Sequence, residues 1–344
     1  MIPQAPVVIN KLWTWRGQQI SYCCAPWGGP GLPAEPTASA GAGAGAGAGV
    51  QADAPTNGLP PGGAVLLIHG CGASKGHWRH NLPALAAVGR VYAIDLLGFG
   101  ASSKPRSRLA DEPQEPGSVP YGFDLWATLV VDFSQQVIAK DAPGLRLQLI
   151  GNSIGGVVAL NAARLLAEQG HPAAQVILID CAQRTLDRKR LAELPPLQRW
   201  SRPLLMGLVR QRWLIGSLFS LLARPAVVRQ VLSQAYPSGA NCDDDLVEIL
   251  VGPSRDPGAR ESFRGFVNLF DDHLAPGLLA QLQGPVRLLW GEADPWESVA
   301  EAQEWQHNFP CIEELRVLPG LGHCPHDEAP EQVNPILIEW LQKA

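Results

Sequence analysis

Leu145-Arg146-Leu147-Gln148-Leu149-Ile150-Gly151-Asn152-Ser153-Ile154-Gly155 is the stretch on which the fold turns. Its apolar residues read as a buried strand, the glycine-flanked serine as a tight turn, and Val157 to Gln169 as a helix. A G-x-S-x-G pattern in a strand–turn–helix context is a nucleophile elbow. The chain reverses so sharply there that side chains at Gly151 and Gly155 would collide with the neighbouring strand and helix. The serine is then strained, with its hydroxyl exposed at the positive end of the following helix. A plain strand-to-helix turn carries the same five residues, so the pattern needs support from the rest of the chain.

That support comes from the strand series. Ala64–Ile68, Val91–Ile94, Leu147–Ile150, Val176–Ile179, Val286–Trp290 and Leu315–Leu318 read as buried strands, with helices such as Leu125–Lys140 between most of them. The alternation predicts an α/β fold with a mostly parallel sheet covered by helices on both faces. Trp13 to Tyr22 reads as an N-terminal hairpin around Gly17, which places residues 1–27 with the sheet domain. Residues 28–63 contain alternating Gly-Ala from Gly41 to Gly49, flanked by prolines, and are expected to be a disordered insertion. Residues 64–180 and 284–344 form the two parts of the core. Between them, 181–283 lose the strand pattern and read as an inserted helical cap.

A serine hydroxyl needs a base, and the base needs an orienting acid. The elbow architecture supplies these in the order Ser, acid, His. Asp294 in Gly291-Glu292-Ala293-Asp294-Pro295 follows the strand Val286–Trp290, and His323 in Gly320-Leu321-Gly322-His323 follows Leu315–Leu318. Both lie at carboxyl ends of strands, where open α/β sheets place their ligands. Ser153, His323 and Asp294 are therefore the expected catalytic residues. Asp180 also follows a strand and competes as the acid, although it reads better as a cap where the chain enters the cap region. His326 reads as a structural neighbour, and Glu292 as solvent-facing. The oxyanion donors are expected to be the amides of Ile154 and of Cys71, in the loop His69-Gly70-Cys71-Gly72. His69 is expected to brace that loop, and Cys71 to act through its main chain rather than as a nucleophile.

The chain of 344 residues carries a net charge of -5, which gives no electrostatic case for nucleic acid as partner. Arg184, Arg188, Lys189 and Arg190 read as a solvated helix face. The seven cysteines are scattered without zinc-site spacing, so reduced thiols in the cytoplasm are expected and no metal or redox cofactor is implied. Met1 to Asn10 does not read as a signal peptide. No obligate protein partner is inferred.

These residues resemble the α/β-hydrolase superfamily: His69 to Gly72, Asp95-Leu96-Leu97-Gly98-Phe99-Gly100-Ala101-Ser102, the elbow, Gly291 to Asp294 and Gly320 to His323. Within it, Gly151 to Gly156, Gly291 to Glu297, Gly322-His323-Cys324-Pro325-His326-Asp327-Glu328-Ala329-Pro330-Glu331, Val333-Asn334 and the Trp13-Thr14-Trp15 hairpin are similar to pheophytinases and chlorophyll dephytylases. The resemblance implies a serine esterase acting on the phytyl ester of pheophytin or chlorophyll. The Gly-Ala insertion looks foreign to that family, and the residues before the hairpin do not read as a plastid transit peptide. Haloalkane dehalogenases and epoxide hydrolases share the scaffold but use aspartate at the elbow, so Ser153 argues against both. A carboxylesterase or lipase acting on other lipophilic esters is the alternative, with a non-catalytic ligand receptor behind it. The apolar density of Leu204 to Val228 exceeds what a small cap needs, and suggests an isoprenoid chain or peripheral contact with a pigment membrane.

Overall fold

The computed structural model describes residues 7–28 and 60–344. The insertion expected over 28–63 lies outside the described residues except for its two ends. Those ends are anchored side by side. The Gly28 amide donates to the Ala86 carbonyl (3.0 Å) and the Gly62 amide to the Val88 carbonyl (2.8 Å). Gly28 and Gly62 are thus held two residues apart on one segment, at Ala86 and Val88.

Eight strands among the described residues form one sheet. They are β1 (Ile9–Trp15), β2 (Gln18–Ala25), β3 (Ala64–Ile68), β4 (Arg90–Ile94), β5 (Leu147–Asn152), β6 (Gln175–Ile179), β7 (Val286–Gly291) and β8 (Ile312–Leu318). Their order is β1-β2-β4-β3-β5-β6-β7-β8. The hairpin β1–β2 joins β4 antiparallel, and every pairing from β4 to β8 is parallel. β3 is buried over its whole length, as a strand covered on both faces must be. Its side chains divide by alternation: Leu66 and Ile68 enter the core on one face, Val65 and Leu67 the core on the other.

The helices of eight or more residues among those described are α1 (Phe123–Phe133), α2 (Ile154–Glu168), α3 (Pro196–Arg210), α4 (Arg212–Leu222), α5 (Pro225–Ala235), α6 (Asp244–Val251), α7 (Ala259–Val267), α8 (Val299–Asn308) and α9 (Pro330–Lys343). Trp126 of α1, Val157 and Leu160 of α2 and Trp305 of α8 fill one core; Val333, Leu337 and Trp340 of α9 fill the other. α3 to α7 lie between β6 and β7, where the strand alternation lapses. Leu232, Tyr236, Leu246 and Val251 form a separate small core there.

Several expected boundaries move. α2 begins at Ile154 rather than Val157, because the glycines at 155 and 156 permit the first turn to press onto the sheet. β8 begins at Ile312, three residues earlier than its apolar run; Glu313 is exposed because β8 is an edge strand. The basic cluster is not a uniform solvated face. Arg184 is nearly buried, pairs with Asp187 (2.6 Å) and stacks over the Phe123 ring, while Arg190 pairs with Glu301 (2.7 Å). Arg188 and Lys189 alone of the four remain exposed.

Candidate active site

β5 delivers Ser153 into a backbone conformation that few non-glycine residues adopt, with φ 55° and ψ -124°. Such a position costs about 1–3 kcal/mol and persists only where its surroundings overdetermine it. Here the Ser153 amide donates to the Ile179 carbonyl (3.0 Å) and the Ser153 carbonyl accepts from the Ala182 amide (3.1 Å). The flanking glycines are needed for approach. A Cβ at Gly151 would lie 2.2 Å from the Gly155 carbonyl oxygen, and one at Gly155 would lie 2.3 Å from that of Ile68. The start of α2 is thereby pressed against the end of β3.

The loops after β7 and β8 supply the other two residues. His323 Nδ1 and Asp294 Oδ2 are 2.7 Å apart, with the Asp294 side chain fully buried. Asp294 Oδ1 accepts from the amides of Trp296 (2.8 Å) and Glu297 (3.2 Å). Burial opposes ionisation of Asp294, but the bonds from His323 and the Trp296 amide outweigh it, and its carboxyl titrates below the ordinary range. The Trp296 ring packs edge-on to the imidazole at 4.8 Å between centroids. Both Ser153 and His323 are almost wholly buried. Their side chains are not hydrogen-bonded to each other in this structure; such contacts often tighten only when substrate is bound. Asn152 joins the two loops instead, its amide nitrogen donating to the carbonyls of Ile179 and His323, both at 3.1 Å.

The loop after β3 lies directly over the elbow, where a Cβ on Gly70 would come within 3.1 Å of Ser153 Cβ. His69 holds the loop. Its Nδ1 lies 2.8 Å from the Gly70 carbonyl and its Nε2 accepts from the Leu96 amide at 3.1 Å. That pattern requires a neutral ring protonated on Nδ1, and burial, which lowers the His69 pKa, favours it. The amides of Cys71 and Ile154 have no acceptor among the described residues, which leaves both able to donate to a bound group. From Cys71–Ala73 a cavity of about 250 Å³ runs between the core and the cap, walled by Phe99, Phe219, Leu232, Phe263 and Phe266.

Asp180 does not take the histidine, and it braces the acid loop rather than capping the start of the cap. It is fully buried at φ 43°, and its Oδ1 accepts from the Gly291 amide at 2.9 Å. Burial, and then the neighbouring Asp294 charge, push the Asp180 carboxyl well above the ordinary range. Glu292 is exposed, as expected. His326 is completely buried, stacked against Trp78 at 4.4 Å and His77 at 4.7 Å. The sequence reading missed Asn152, Gln183 and Glu297 as supporting residues. The Gln183 backbone N–H donates to Glu297 Oε2 (2.8 Å), and burial pushes the Glu297 carboxyl up to about 7. For Asn152 the one available signal was a carboxamide at the end of the strand, directly before the elbow serine.

A mostly parallel eight-stranded sheet with a serine elbow on β5 and an acid–histidine pair after β7 and β8 defines the α/β-hydrolase architecture. The chain belongs to the alpha/beta hydrolase family, whose model matches residues 65–336. It is similar to the chloroplast pheophytinase of Arabidopsis thaliana, with 26% identity over 310 residues. That match takes in 81% of this chain but 61% of the pheophytinase, so this chain spans about three fifths of that relative. Among solved structures, a serine hydrolase involved in carbazole degradation superposes with a TM-score of 0.64 at 19% identity, covering 98% of this chain and 100% of the other. The epoxide hydrolase CorEH superposes with a TM-score of 0.67 at 16% identity, covering 97% and 98%. At such identities the two structures speak for the fold alone.

Proposed function

We propose that the protein is a serine esterase acting on lipophilic carboxylic esters, and that its substrate is the phytyl ester of pheophytin or chlorophyll. The observation that carries the esterase reading is the 2.7 Å bond between buried Asp294 and His323, tied through Asn152 to the strained Ser153. Asp294 holds the imidazole with its proton on Nδ1 and leaves Nε2 free to act as base. Ser153 Oγ attacks the ester carbonyl as its proton passes to His323, and the amides of Cys71 and Ile154 receive the developing oxyanion. Collapse of the tetrahedral intermediate expels the alcohol, which takes the proton from His323. Water activated by the same imidazole then releases the acid and restores Ser153.

Two observations support a lipophilic substrate. The cavity beside Cys71 is lined mainly by aromatic and aliphatic side chains, and the chain is similar to a pheophytinase over four fifths of its length. The apolar walls favour equally an esterase or lipase acting on another long-chain ester, because they contain no group that would single out a chlorin ring. The two readings separate in one assay. Phytol release from detergent-solubilised pheophytin a and chlorophyll a is measured beside hydrolysis of a p-nitrophenyl ester, with wild type and Ser153→Ala. Serine-dependent release of phytol is expected. Cleavage of the p-nitrophenyl ester alone would transfer the assignment to other lipids, and no serine-dependent cleavage at all would overturn the esterase reading.

A further inference from the structure

α3 is amphipathic in the wrong sense for a helix of a soluble fold. Leu197, Trp200, Leu204 and Leu208 recur at helical spacing, and with Leu205 they face solvent; Trp200 is 87% exposed and Leu197 77%. The single buried side chain of the helix is Arg202, held by the Leu186 carbonyl and the Phe270 ring. On α4, Trp213 is 73% exposed, and Leu218, Leu221 and Leu222 are exposed as well. Soluble monomers rarely leave so many large apolar side chains together in water.

The charges that this segment itself carries have one sign. Between Glu193 and Asp243 the chain has no acidic residue and carries Arg199, Arg202, Arg210, Arg212, Arg224 and Arg229, although its net charge is -5. The acidic groups opposite come from other elements: Asp111 meets Arg210, Glu112 and Glu261 meet Arg212, and Asp244 meets Arg229. Arg199 and Arg224 have no ion-pair partner among the described residues. Tryptophan is the side chain best suited to a bilayer interface, where its ring is apolar and its N–H meets water. No helix among the described residues is long and apolar enough to cross a membrane, and the apolar pair α4–α5 is bent by 73°. The shape fits helices lying in the plane of a surface rather than spanning it.

We infer that α3 and α4 form a docking face for an anionic lipid surface, with Trp200, Trp213 and the leucines inserted among acyl chains and Arg199 and Arg224 at the phosphates. The face and the cavity meet. Leu222 and Val231 are exposed and also wall the cavity that begins at Cys71. On the ester-hydrolysis reading, a membrane-dissolved substrate enters the site directly from the bilayer. The docking itself does not depend on that reading.

The test is flotation of the full chain with vesicles of equal phosphatidylglycerol and phosphatidylcholine, against vesicles of phosphatidylcholine alone. Wild type and Ser153→Ala are expected to float with the anionic vesicles, and less in ~1 M salt, where charges are screened within about 3 Å. Trp200→Glu/Leu204→Glu removes the insertion and is expected to weaken binding by about tenfold or more. Arg199→Glu/Arg224→Glu is expected to lower binding to the anionic vesicles only. All four residues are exposed, so thermal unfolding should be unchanged and a lost interaction is not a lost fold. Wild type that fails to float with anionic vesicles overturns the inference. So does a dimer in sedimentation velocity that Trp200→Glu/Leu204→Glu dissolves, since a second copy would then be the cover. Equal binding to both vesicles, unmoved by the arginine variant, overturns the anionic assignment. Flotation is read without turnover, so failure of the esterase reading leaves this result standing.

Discussion

Asp294→Asn probes the acid–histidine pair with almost no change of shape. In the native structure one carboxylate oxygen accepts two backbone amides, from Trp296 and Glu297, and the other meets His323 Nδ1 at 2.7 Å. A carboxamide at this position has one oxygen and one NH2. The two amides can be satisfied only by the oxygen, so the NH2 is turned toward His323. It must then donate to Nδ1, which forces the imidazole proton onto Nε2, the nitrogen that would accept the Ser153 proton. The side chain keeps its place and the base is lost. A wrong tautomer in a serine–histidine–acid site costs about 10⁴ in kcat, or about 5 kcal/mol of transition-state stabilisation. Stability should change far less, by about 1–2 kcal/mol, since one hydrogen bond to an ion becomes one to a neutral group. The companion variant Asp180→Asn separates the two buried acids. Burial already disfavours the charged form of Asp180, and an amide oxygen can still accept the Gly291 amide, so its activity is expected to stay within a few fold of wild type. Steady-state hydrolysis of a p-nitrophenyl ester, with urea unfolding as the control for folding, reads both. Asp294→Asn retaining more than about a tenth of wild-type kcat would refute the reasoning, and an inactive Asp180→Asn beside it would move the orienting role to Asp180.

Asn152→Ala leaves the buried His323 carbonyl without its donor, whereas the Ile179 carbonyl keeps the Ser153 amide. One unsatisfied carbonyl and a small cavity should cost about 2–3 kcal/mol in urea unfolding and lower kcat more than they raise KM; unchanged stability and kcat would show that Asn152 does not tie the two loops together. Glu297 has a folded-state pKa of about 7 against an ordinary value of 4.5, so the native state binds its proton more tightly than the unfolded chain and stability falls as pH rises between those values. Glu297→Gln should therefore be the more stable protein above pH 7, by up to ~3 kcal/mol, with the advantage vanishing near pH 4; a difference constant across pH in the denaturation midpoints would contradict this.

Much of the fold was legible in the chain because it rests on local rules. Strands covered on both faces read as short apolar runs, as Ala64–Ile68 and Val176–Ile179 do, and the glycines at 151 and 155 announce the close approach of α2 to β3. The order Ser153, Asp294, His323 at successive strand ends follows from connectivity and needs no coordinates. What local rules could not decide is which of two buried acids meets the histidine. Asp180 and Asp294 both follow strands, and only the packing of the β7 loop gives Asp294 the two amides and the imidazole while leaving Asp180 on the Gly291 amide.

The cap shows the same division. Its helices, its apolar density and its arginines could be read from Leu204 to Val228, but the side that faces water could not. Helical periodicity defines a stripe without saying whether that stripe is covered. Arg202 turned inward and Trp200 turned outward are facts about which neighbours α3 finds, and those neighbours come from elements far away in sequence. Sequence determined the sheet, the elbow and the order of the reactive residues, because each depends on contacts within a turn or on the direction of a strand. Tertiary structure alone decided the partner of His323, the tether through Asn152 and the exposed face of the cap, because each depends on long-range packing that the chain reaches only by folding.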